Sequence, residues 1–187
     1  MEHYYQNIQG WFSDEELQKV YAEMVKKYPD GSQFVEIGSW KGKSAVFMAV
    51  EIINSGKKIK FNCIDSWEFL DAVYIENSEI NKMKHTAFDE FQKNIEPIKD
   101  IITYHKINSI EGSKLFADES LDFIYIDASH EYEKVKDDLI HWYPKVKRGG
   151  VIAGHDYGAG VKKAVDEFFF KKKFDVIRIS WIYYKNE

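Results

Sequence analysis

The chain is 187 residues long, 44% apolar and 30% charged, a composition that suits one globular domain and excludes a disordered or collagen-like chain. Its 26 cations against 31 anions leave a net charge of −5, and the only arginines are Arg148 and Arg178, which argues against a nucleic-acid surface. One cysteine, Cys63, allows no internal disulfide, and neither a basic-then-apolar leader nor a run of about 18 apolar residues is present, so a cytoplasmic protein without a membrane partner is expected.

Taken in chain order, Ser13 and Glu16 form a capping box, and Leu17, Val20, Tyr21 and Met24 then repeat at helical spacing, which predicts a helix to about Lys27, within an N-terminal helical segment 1–32. Phe34 to Ile37 reads as a first strand, followed by a glycine-containing turn and a helix carrying Ala45, Val46, Ala49, Ile52 and Ile53. Further strands are expected at Lys60 to Ile64, Ile101 to Ile107, Leu121 to Ile126 and Val151 to Ala153, with two more between Phe174 and Tyr184. Helical faces are marked by Tyr132, Val135, Leu139 and Trp142, and by Val161, Ala164, Val165 and Phe168. Strands alternating with helices make a doubly wound α/β fold with a mostly parallel sheet, and its ligands lie beyond the carboxyl ends of the strands. Residues 67–94 exceed an ordinary connection and mix aromatics with acids, so they are read as a lid insertion. Tyr4, Tyr5 and Trp11 suit stacking on a sugar.

The strand ends hold the chemistry. After the first strand, Gly38 and Gly42 let backbone amides approach a ligand at a helix start. Trp40 occupies the position where a dinucleotide fold needs a second glycine, and only three residues separate Gly38 from Gly42, one too few for a phosphate loop; NAD and ATP are both disfavoured. Asp65 ends the second strand, placed either to accept both hydroxyls of a ribose or to cap the next segment. Asp127 and Asp156 could give carboxylate oxygens to a hard cation, with His155 a softer candidate, while His130 could act as a general base. Helix capping by Asp127 and packing of His155 under the sheet are the structural alternatives.

Together, Glu36-Ile37-Gly38-x-x-x-Gly42, then Asp65, then Ile126-Asp127-x-x-His130-x-Tyr132, then Gly149 to Tyr157 resemble the class I S-adenosylmethionine-dependent methyltransferases. Within them the set is similar to the small bacterial branch of macrolide and aminocoumarin sugar O-methyltransferases and cephalosporin hydroxylase-like proteins, over residues 33 to 185. The resemblance implies a seven-stranded sheet with an antiparallel last strand and a single domain over 1–187. It implies that Gly38, Ser39 and Gly42 wrap the methionine of the cofactor, Glu36 holds its amino group, Asp65 and Ser66 meet the ribose, and Asn108 and Ser109 meet the adenine. Asp127 counts with the cofactor residues and, with His130, as catalytic. It also implies Mg²⁺ or Mn²⁺ on Asp127, His155 and Asp156, although this sequence places a histidine first where those enzymes carry an acidic pair.

The expectation is therefore metal-assisted O-methylation of a small molecule, a sugar or glycoconjugate, with no nucleic-acid partner and with homo-oligomer formation left open. Three alternatives stay open: a metal-independent methyltransferase, a non-catalytic adenosylmethionine-binding module, and an oxygenase with a facial triad of His130, His155 and Asp127.

Overall fold

The computed structural model describes residues 1–68 and 86–186. The predicted first helix, α1, runs through residues 14–27: an α-helical turn at Asp14–Glu16, a π-helical stretch at Leu17–Ala22, and α-helix again at Glu23–Lys27. Its capping box is complete, with the Ser13 and Glu16 side chains each accepting or receiving the other's backbone N–H.

The sheet strands are β1 (Gln33–Ile37), β2 (Lys60–Asp65), β3 (Ile102–Lys106), β4 (Leu121–Ile126), β5 (Val146–Gly154), β6 (Asp175–Ile177) and β7 (Ser180–Tyr184). Their order is β3-β2-β1-β4-β5-β7-β6, and β7 runs antiparallel to both β5 and β6. The fifth strand is longer than Val151 to Ala153 because Val146 pairs with Leu121 and a bulge carries the Gly149-Gly150 pair, which looks like a helix stop in sequence. The helices are α2 (Lys43–Ser55), α3 (Ala87–Ile95), α4 (Ser109–Ser113), α5 (Tyr132–Trp142) and α6 (Ala159–Phe168). Sequence patterning predicts α2, α5 and α6; α3 falls inside the expected lid insertion and α4 is a single short turn.

Alternating strand residues feed two cores. Phe34, Phe123 and Tyr125 pack under α1, α2 and α3, whereas Val35, Ile37, Ile124 and Ile126 pack under α5 and α6. All six residues of β4 are buried, as expected of a central strand covered on both faces. Strand order reverses between β1 and β4, and the crevice opens beyond their carboxyl ends. Of the expected lid, 69–85 lie outside the described residues; Trp67 and Phe91, at its two ends, are core side chains.

Candidate active site

The loop after β1 is stitched to both neighbouring strands: Gly38 N donates to Ile64 O at 2.8 Å, and Asp127 N donates to Ile37 O at 2.7 Å. Gly38 has φ +85, and a Cβ there would sit 2.0 Å from the Asp127 carbonyl oxygen, so only glycine closes this turn. Trp40, at φ 44, holds a left-handed conformation in the same loop. Its backbone N–H donates to Asp65 at 2.8 Å, and Trp67 N donates to the other carboxylate oxygen at 2.6 Å. Burial raises the Asp65 pKa, against these backbone hydrogen bonds, which favour the charged form. Asp65 is thus both a loop organiser and a cavity wall.

The strand ends open into a cavity of about 960 Å³. Gly38, Ser39, Asp65, Ser66, Asn108, Ser109, Asp127, His130, His155 and Asp156 all line it, so the expected site residues converge with two exceptions. Glu36 lies beneath the loop, 1% exposed, where its carboxylate accepts from Tyr21 Oη at 2.9 Å and Ser39 Oγ at 2.7 Å. Burial pushes its pKa up to about 7, against the hydrogen bonds from Ser39, Ser44 and Tyr21. Gly42, at φ +86, faces Phe91 and Ile95 rather than the cavity. Asn108 caps α4 by accepting from Glu111 N, and Ser109 Oγ donates to Asp138 while accepting from Trp142 Nε1. Asp138 is buried, which raises its pKa to about 6 in spite of the Ser109 bond.

On the far side, Asp127, His130 and Asp156 bring one ligand atom each to within 4.8 Å of one another. They form a group of metal-ligating type among the described residues, while His155, the histidine of the sequence reading, has its Nδ1 3.7 Å from Asp127 Oδ1. His130 Nε2 stands 3.0 Å from Asp156 Oδ2 and 4.0 Å from Asp127 Oδ1. His155 lies behind them, 3% exposed, its ring 4.5 Å from that of Phe12 and its Nδ1 3.2 Å from Asp156. The hydrogen bonds from His130 and His155 hold the Asp156 carboxyl well below the usual carboxylate range. For His155, burial is the largest influence and opposes charge, but the Asp156 bond and the Asp127, Asp156 and Glu16 charges outweigh it, and its pKa is raised.

Three contributors escape the strand-end logic. Gly10, Trp11 and Phe12 reach over from the N-terminal segment and line the same cavity. Trp11 is 61% exposed and stacks on Trp40 at 4.5 Å and 22°. Tyr5, grouped with it in sequence, is instead a core residue. An exposed indole beside the first helix was a visible signal, but its destination was not.

Residues 35–157 match a family described as methyltransferase domain. An uncharacterized protein of Acanthamoeba polyphaga mimivirus is 30% identical over 129 residues, which are 68% of this chain and 52% of that protein. The chain therefore spans about half the length of this curated relative. Among solved structures, the O-methyltransferase NovP is 18% identical, with 92% of this chain and 80% of that one covered at a TM-score of 0.62. A methyltransferase from Geobacter sulfurreducens is 10% identical, with 94% and 81% covered at 0.64. An rRNA methylase from Streptococcus thermophilus is 11% identical, with 95% and 100% covered, also at 0.64. At these identities the structures share the fold.

Proposed function

Since the chain belongs to the methyltransferase domain family, with its class I, adenosylmethionine-dependent fold, we propose that it methylates a hydroxyl of a small molecule, a sugar or glycoconjugate, with metal assistance and with His130 as general base. The observation that carries this reading is the convergence of Asp127, His130 and Asp156 in the same cavity as Gly38 and Asp65. When bound, S-adenosylmethionine supplies the sulfonium methyl group and a divalent cation lowers the pKa of the acceptor hydroxyl.

The residues present suit both groups. Gly38 lets the loop close against the Asp127 backbone at the cavity edge, and Asp65 and Ser66 stand at the end of the neighbouring strand, where a ribose would lie. Asp127 and Asp156 offer the oxygen donors that Mg²⁺ or Mn²⁺ takes. With Nε2–H donated to Asp156, His130 keeps Nδ1 as its basic atom, and Asp156 fixes the ring in that tautomer. Direct ligation of a cation by Nε2 would displace that hydrogen, so the one nitrogen cannot serve both uses. Asp127 adds negative charge beside the nascent alkoxide's proton acceptor, and Trp11 with Trp40 offers a flat apolar wall of the kind that stacks on a sugar ring.

A nucleic-acid acceptor is disfavoured by the net charge of −5 and by Glu68, Asp137 and Asp156 on the cavity wall. The test is calorimetric titration of Mg²⁺, then Mn²⁺, into protein saturated with S-adenosylhomocysteine, followed by methyl-transfer assays on glycosides with vicinal hydroxyls, with and without chelator. Stoichiometric metal binding that Asp127→Ala abolishes supports the reading. Turnover indifferent to chelator moves the chemistry to His130 as an unaided base.

A further inference from the structure

From the cavity wall inward runs a line of buried polar groups to which this chemistry gives no role. Glu16 is 2% exposed, His155 3% and Ser180 0%, yet they come from α1, the end of β5 and the start of β7. The Glu16 carboxylate is held from two sides. Its Oε2 accepts from Ser13 N at 3.1 Å and Ser13 Oγ at 2.7 Å, and its Oε1 accepts from Ser180 Oγ at 2.9 Å. Ser180 is itself fixed by the Tyr125 hydroxyl at 2.8 Å.

The same Oε1 faces His155 Nε2 at 3.4 Å, within ion-pair distance. That nitrogen is buried and finds no hydrogen bond of good geometry, so Glu16 is the group that meets it. Phe12 sets the plane of the imidazole, and Glu16 sets which edge points where. The opposite nitrogen then meets Asp156 Oδ2, the oxygen that also faces His130 Nε2. Asp156 sits at φ 53, a left-handed conformation that a non-glycine residue keeps only where its surroundings hold it. A capping glutamate needs only the helix start; burial of its carboxylate beside a histidine is costly and asks for a second reason.

We propose that Glu16 is a positioning residue of the active site: through His155 it fixes Asp156, and through Asp156 the ring of His130. The proposal rests on the reading of Asp127, His130 and Asp156 as the reacting group. It lies outside the family match, which begins at residue 35.

The experiment compares Glu16→Gln with Ser13→Ala, which loosens the cap on Oε2 and leaves the Oε1 that faces His155. Two readouts are taken on the full chain: histidine ring ¹⁵N spectra of metal-free protein, assigned with single His→Gln variants, and Mn²⁺ affinity. Glu16→Gln is expected to move the ring signals of both His155 and His130 and to weaken Mn²⁺ measurably, by less than the roughly 10–100-fold cost of removing a group that touches a ligand directly. Ser13→Ala is expected to lower Tm alone. If Glu16→Gln lowers Tm as Ser13→Ala does and leaves the His130 signals unchanged, Glu16 is only a cap and the proposal falls. Should the wild type bind no Mn²⁺, the metal reading falls separately and the ring spectra alone decide on Glu16. Should Glu16→Gln not fold, Ser180→Ala takes its place, and unmoved His130 signals there overturn the proposal.

Discussion

The two walls of the cavity are built by different means. The wall made by Gly38 to Trp40 with Asp65 is a backbone structure: its amides find a strand carbonyl and one carboxylate, and its glycine has no room for a side chain. The opposite wall, Asp127, His130, His155 and Asp156, is a side-chain structure held by mutual hydrogen bonds and charge, and backed by Phe12 and Glu16 from far away in the chain. Backbone walls fail by steric clash, whereas side-chain walls fail by losing one partner. Substitutions on the first should damage folding and cofactor binding together; those on the second should damage chemistry alone.

His130→Ala should separate the walls most sharply. Turnover is expected to fall by roughly 10²–10⁴-fold, the usual contribution of a positioned base, with S-adenosylhomocysteine affinity preserved in calorimetry. Wild-type turnover would refute the role. Gly38→Ala should do the reverse, since its Cβ meets backbone at 2.0 Å. A loss of about 3 kcal/mol or more in urea unfolding is expected, together with loss of cofactor binding; a stable variant that binds cofactor would show that the loop can shift.

Between the walls, Asp138 under Ser109 gives a pH signature. Its folded pKa, about 6, lies above the ordinary carboxylate value of 3.8, so the fold prefers the neutral acid. That contribution is complete below about pH 4 and is lost as pH rises through 6, on the order of 2–3 kcal/mol across the window. In Asp138→Asn this part of the pH dependence of unfolding should vanish; an unchanged profile would assign it elsewhere, Glu36 being the other buried carboxylate raised, to about 7. The smallest effect is expected at Trp11→Ala, a rise of about 3–10-fold in KM for a glycoside acceptor with kcat little changed, from one lost stacking contact. An equal fall in kcat would instead place Trp11 in the alignment of the reacting atoms.

The sequence by itself determined the alternation of strands and helices, the glycine loop and the acid at each strand end, because these follow from local periodicity and from backbone conformations that only certain residues adopt. Gly38, Asp65, Asp127 and Asp156 were legible for that reason. It did not reveal the full length of β5, whose Gly149-Gly150 bulge imitates a helix stop until Val146 is seen paired with Leu121. Only the tertiary structure decided how the two histidines share the carboxylates. His130 and His155 both follow strand ends, and no local rule ranks them; the packing of Phe12 and Glu16 buries the His155 ring, whose Nδ1 still meets Asp127 and Asp156, and leaves His130 as the more exposed of the two. The same is true of Glu16, whose capping box is readable within four residues, while its contacts with Ser180 and His155 form only when α1 closes over the ends of β5 and β7.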